Sequence, residues 1–240
     1  MPRKSTRRLE RRELSWLVVG LGACLLLFVF VTLAGEVTDG DTQAFDTKIL
    51  RALRSPADPA NPIGPAWLED SMIDLTAIGG PTVLGLTVVI VAGFLVLQTR
   101  YRTALVVAIT SFSAELLSNV MKHTFNRPRP SVVPHLREVF SSSFPSGHAM
   151  ESAIVYLTLG AILMRAAESR ITKIYIFATA VLLTSLVGIS RVYLGVHYPS
   201  DVVAGWCAGL AWALFCWAAA AWLQRRGRLR GPDPARDDAR

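Results

Sequence analysis

Long stretches almost free of charge constrain this chain more than any other feature in it. Leu14 to Ala34, Leu75 to Thr99, Thr103 to Met121, Ala149 to Met164, Ile174 to Ser190 and Val202 to Gln224 are six such runs. A helix of ~20 residues, rising about 1.5 Å per residue, crosses a hydrocarbon core ~30 Å thick. With 52% hydrophobic and 18% charged residues, the chain is neither a disordered polymer nor a small disulfide scaffold. The same composition suits a soluble globule if apolar and polar residues alternate, but here the apolar residues are blocked. The fourth and fifth runs are short, and a buried helix of a soluble domain competes for them. The expected fold is all-α, a polytopic membrane protein with six transmembrane helices in one bundle.

The first run follows Arg3, Lys4, Arg7, Arg8, Arg11 and Arg12, the charged start of a secretory signal. At 21 residues it exceeds a typical signal core, and Ala34-Gly35 make a weak cleavage site, so it is expected to be a retained anchor. Cys24, Cys207 and Cys216 all fall inside runs, without a metal or redox spacing. The expected organisation is a basic tail (1–13), a six-span domain (14–224) and a charged C-terminal tail (225–240) of disordered composition. No internal repeat is visible.

Six spans put both termini on one side, where seventeen of the 25 Lys and Arg residues then lie, against eight on the other. The positive-inside rule places both tails in the cytoplasm. Arg-rich tails also fit nucleic-acid arms, but their position beside apolar spans is explained by orientation, so no nucleic-acid partner is expected. The outside then carries loop 35–74, with a proline cluster and a short amphipathic helix expected near Phe45 to Leu53, and a second Pro-rich loop from His123 to Gly147.

Three clusters of ionisable residues share that outer surface. Lys122, Arg127 and Arg129 close the third span, Pro145-Ser146-Gly147-His148 open the fourth, and Ser190, Arg191, His197 and Asp201 bracket the turn between the last two. Singly, each has an ordinary reading: Lys122 snorkels, Arg191 caps a helix C-terminus, His197 is a loop histidine, Asp201 sits in a first helical turn. Together they make an anion site with an acid/base or nucleophile pair. Ser146-Gly147 lead into a helix whose free N–H groups bind anions, and Lys122, Arg129 and Arg191 add cationic donors.

Lys122-x6-Arg129-Pro130, then Pro145-Ser146-Gly147-His148, then Ser190-Arg191-x5-His197-x3-Asp201 resembles the three-part signature of the type 2 phosphatidic acid phosphatase superfamily. The motifs span Lys122 to Asp201, in active-site loops 122–148 and 190–201, with no departure at a signature position. Loop 35–74 and both tails carry no part of it. The resemblance implies metal-independent phosphate-ester hydrolysis through a phosphohistidine, with no cofactor. It makes His197 the nucleophile, Asp201 its orienting partner, His148 the proton donor and then the base for water, and Lys122, Arg129, Ser146, Gly147 and Arg191 the phosphate-binding set. A metal on the two histidines and Asp201 is the rival, disfavoured by the surrounding cations.

A site at the membrane–water boundary implies a lipid phosphate substrate, the family's candidates being undecaprenyl diphosphate, phosphatidate, phosphatidylglycerol phosphate or a lipid A phosphate. The setting implied is a bacterial inner membrane. A vanadium haloperoxidase shares the signature but is soluble, and a transporter would place its basic site at the midplane. Ser111, Glu115, Ser118 and Lys122 form one helical stripe, and Glu151 lies one turn after His148. These two glutamates are expected to orient the basic residues; helix packing explains the stripe equally well.

Overall fold

The computed structural model describes residues 3–139 and 141–225, and among them finds eight helices and no strand. They are α1 (Arg3–Asp39), α2 (Gln43–Ala52), α3 (Ala66–Ala77), α4 (Pro81–Leu97), α5 (Tyr101–Phe125), α6 (Gly147–Ala166), α7 (Arg170–Tyr193) and α8 (Pro199–Arg225). Five are long and apolar enough to cross a membrane, and α3 with α4 make a sixth candidate bent by 49°. The two short runs lengthen into helices of 20 and 24 residues, α6 and α7, because their polar ends stay helical. The outward faces of the long helices are apolar, as lipid-facing surfaces must be: Leu21, Leu25, Phe28, Phe112 and Ile171 are all exposed.

The structure departs from the sequence reading at three places. Helix α1 begins at Arg3, so the basic tail continues the first span; Arg, Lys and Leu are good helix formers, and nothing between Arg3 and Leu14 stops the helix. Loop 35–74 holds the expected short helix as α2, but also α3 from Ala66. The second span, expected from Leu75, is broken at Gly79-Gly80-Pro81, where Pro81 starts α4. The expected C-terminal tail lies outside the described residues after Arg225.

Helix α6 is the hub, packed on α5, α7 and α8, while α1 leans on α8 and α3 on α7. Its contact with α8 depends on Gly205 and Gly209. A Cβ on Gly205 would stand 2.7 Å from the Ser146 carbonyl oxygen, and one on Gly209 2.6 Å from that of Met150. This small-xxx-small face brings two backbones together and sets the start of α8 against the start of α6. Ser146 N–H donates to the Asp201 carbonyl at 3.0 Å across that junction. Below it, Phe144 is fully buried against Phe30 (6.0 Å between centroids) and Phe125 (5.0 Å), fixing the loop just before Pro145.

Candidate active site

The three clusters meet at one end of the bundle because each closes or opens a helix there. Helix α5 stops at Asn126, a left-handed residue (φ 42°) whose N–H donates to the Lys122 carbonyl, and the chain leaves through Arg127-Pro128-Arg129-Pro130. Helix α6 begins after Ser146, with its first N–H groups free of helical partners. Arg191 lies in the last turn of α7 and Asp201 in the first turn of α8.

His197 is buried at the centre (1% exposed). Its Nε2 is 3.1 Å from Arg129 Nη1, and its Nδ1 is 3.4 Å from Asp201 Oδ2, an ion-pair distance not aligned as a hydrogen bond. Arginine only donates, so Nε2 must present its lone pair to Arg129, which puts the proton of the neutral ring on Nδ1, facing Asp201. Burial first, then the charges of Arg191, Arg129 and Lys122, hold His197 well below the ordinary histidine range, and the nearby Ser143 backbone opposes them. The ring is therefore neutral at pH 7.

Arg129 is held from behind, Nε donating to the Ser141 carbonyl (2.7 Å), Nη1 to that of Val196 (2.6 Å) and Nη2 to Ser141 Oγ (3.1 Å). Burial lowers its pKa from the usual arginine value and Asp201 counteracts this. Arg191, 2% exposed, donates through Nη1 to Thr76 Oγ1 at 3.0 Å; its Nε and the buried Ser146 Oγ have no hydrogen-bond partner among the described residues. Lys122 Nζ lies where a side chain on Gly147 would go, 2.9 Å from a Cβ built there, with Ser118 Oγ at 3.0 Å and Glu151 Oε1 at 3.3 Å. His148 is half-buried and within electrostatic reach of Arg191, His197, Lys122 and Arg137.

All eight residues singled out in the sequence thus lie at this end. Direct contacts join Arg129, His197 and Asp201, while Lys122 gathers at Gly147. Sequence reasoning assigned no role to the residues that hold them. Asp201 receives Arg127 Nη1 at 2.6 Å, Tyr198 N–H at 2.9 Å and the Ser143 hydroxyl. Arg127 had a signal as a charge on the sparsely basic side; Ser143 and Thr76 had none. Glu115 and Glu151 line a cavity of about 290 Å³ between α4, α5 and α6, Glu115 on its exposed side. A second cavity of about 370 Å³, reaching Arg165, contains no signature residue.

Chemically, this is a cradle of cations around a buried imidazole whose lone pair is turned toward Arg129, an arrangement complementary to an anionic group. The PAP2 superfamily model matches residues 102–225, which include every signature position. Phosphatidylglycerophosphatase B of Bacillus subtilis (strain 168) is 32% identical over 187 residues, 77% of this chain and 88% of the relative. Undecaprenyl-diphosphatase of Sulfolobus acidocaldarius is 27% identical over 80% of this chain and 86% of its own length. The crystal structure of a transmembrane PAP2-type phosphatidylglycerolphosphate phosphatase from Bacillus subtilis superposes with a TM-score of 0.75 at 29% identity, covering 87% of this chain and 98% of that one. Fold and site define a membrane-embedded phosphoric-ester hydrolase. The chain belongs to the PAP2 superfamily, within its membrane lipid phosphatases.

Proposed function

We propose that this enzyme hydrolyses a lipid phosphate or diphosphate at the outer face of a bacterial inner membrane, without a metal, through a phosphohistidine on His197. The observation that carries this reading is the His197 ring itself. It is buried, with Nε2 against Arg129 and Nδ1 toward Asp201, and its burial and the cations around it favour the neutral form. Nε2 attacks phosphorus as the bond from phosphorus to the leaving oxygen breaks, and His148 gives that oxygen its proton. His148 then takes a proton from water, whose oxygen attacks phosphorus and releases Nε2. Lys122, Arg129, Arg191, Ser146 and the Gly147 N–H hold the non-bridging oxygens, where removing one such donor typically costs about 2.7–4 kcal/mol.

Both termini are assigned to the cytoplasm by the Lys and Arg count, which leaves the site outside. A phosphate on a bilayer lipid then reaches the cradle without leaving the membrane. Relatives named for phosphatidylglycerophosphate and for undecaprenyl diphosphate support both a monoester and a diphosphate as candidates. The test is phosphate release by purified enzyme from a panel of lipid monophosphates and diphosphates, with and without EDTA and vanadate. Release that survives EDTA and is inhibited by vanadate is expected; loss with chelator contradicts the metal-free reading, and no release from any lipid phosphate contradicts the function.

A further inference from the structure

Asp46 belongs to no signature and lies more than seventy residues before the first motif, yet it is fully buried beside the catalytic turn. Helix α2 carries it there, seated by Leu50, which packs with Val133 and Tyr198. Arg127 Nη2 donates to Asp46 Oδ2 at 2.9 Å while its Nη1 donates to Asp201 Oδ1 at 2.6 Å, so one guanidinium joins two buried carboxylates. Ser200 completes the ring: its N–H donates to Asp46 Oδ1 at 3.0 Å, its hydroxyl donates to Asp46 Oδ2, and that hydroxyl accepts from Arg127 Nη1 at 2.8 Å. The guanidinium also stacks on Tyr198, 4.2 Å from the ring centroid.

We propose that Asp46 is a positioning residue for the hydrolytic reaction: through Arg127 and the first turn of α8 it fixes Asp201 against His197 and keeps the cluster net negative. This rests on the nucleophile reading above. Both the position and the charge of Asp46 bear on Asp201. Ser200 is the second residue of α8, so Asp46 supplies from another helix the carboxylate that a helix N-terminus favours, and thereby anchors the turn bearing Asp201. Secondly, Asp46, Arg127 and Asp201 sum to one negative charge. When His197 Nε2 carries the phosphoryl group and Nδ1 keeps its proton, the ring becomes cationic, and that negative charge stabilises it. With Asn in place of Asp46, Arg127 cancels Asp201 alone and the cluster loses its charge. Arginine's planar fork serves two acceptors at once, as lysine's ammonium does less well.

The test uses full-length enzyme in detergent, the best substrate from the lipid panel, and orthovanadate as a phosphate mimic. Asp46→Asn is expected to lower kcat about 100-fold with KM within about threefold, the size of a misaligned catalytic group, and to weaken vanadate inhibition. Asp46→Glu, which keeps the charge, should recover part of the loss; a purely structural role would instead lower melting temperature and leave the folded fraction fully active. Should Asp46→Asn fail to fold, Arg127→Lys decides, with at least a tenfold fall in kcat expected and native kcat overturning the proposal. Native kcat in Asp46→Asn likewise overturns it. His197→Ala, assayed alongside, separates the two readings. Turnover there refutes the nucleophile, whereas loss there with native Asp46→Asn refutes only the role of Asp46.

Discussion

Gly147→Ala separates the site from the fold. The new methyl would stand 2.9 Å from Lys122 Nζ, 3.0 Å from Ser118 Oγ and 3.3 Å from Glu151 Oε1. Contact between such atoms is comfortable at about 3.5 Å or more, so the ammonium must retreat by roughly 0.5–1 Å. A shift of that order in a positioned group lowers turnover by up to about 100-fold, equivalent to ~2.7 kcal/mol. The fold has little reason to suffer, because the obstructing atoms are side-chain ends and Ala is accepted at the first position of a helix. Initial rates of phosphate release and a thermal melt on the same preparation read both quantities. The expected result is kcat reduced by about 30–100-fold with the melting temperature unchanged or raised. Native kcat in a folded variant would refute the close approach of Lys122 to the phosphate, and a rate loss matched by unfolding would refute its separation from stability.

Glu151→Gln is expected to lower turnover about tenfold, the scale of a hydrogen bond to a charged group, and to move the pH profile; Glu115→Gln should do so less, its carboxylate being on the exposed side of the cavity. Native turnover and pH profile in both variants would remove them from the site. His197, depressed when folded, must gain a proton on unfolding below its unfolded pKa of about 6.5, so its contribution opposes folding as pH falls through that value and vanishes above it. The native melting temperature should therefore fall more between pH 7 and pH 5 than that of His197→Asn, and equal falls would contradict the burial of a neutral ring. Ala60→Cys, at an exposed turn of loop 35–74, should be labelled in intact cells by a membrane-impermeant maleimide while the native cysteines, all within spans, stay silent. Labelling only after lysis would invert the topology.

The spans and the signature end of the bundle were legible because hydropathy and motif spacing are local. Charge-poor runs became α1, α5, α6, α7 and α8, and helix α2 followed from its amphipathic pattern. The second span was harder: Leu75 to Thr99 is one apolar run by composition, and only Gly79-Gly80-Pro81 hinted that α3 and α4 are bent apart. At the site, the signature residues had recognisable types and spacing, whereas those that hold them did not. Asp46 and Arg127 meet across 81 positions, and Thr76 meets Arg191 across 115. Such a pair has no signature in the neighbouring sequence, since each member alone looks like an ordinary polar residue in a loop or helix. Ser143 is equally silent, one of three consecutive serines of which the fold selects it to reach Asp201.

In the proposed reaction, phosphorus passes through His197 before it meets water. Each in-line displacement inverts the configuration at phosphorus. A chirally labelled thiophosphate monoester of the preferred lipid, turned over in oxygen-isotope-labelled water, therefore counts the displacements without requiring the intermediate to accumulate. Two displacements, by Nε2 and then by water, predict net retention of configuration in the released thiophosphate, with no product from His197→Ala. Net inversion would mean that water attacks the lipid phosphate directly, and would contradict the phosphohistidine.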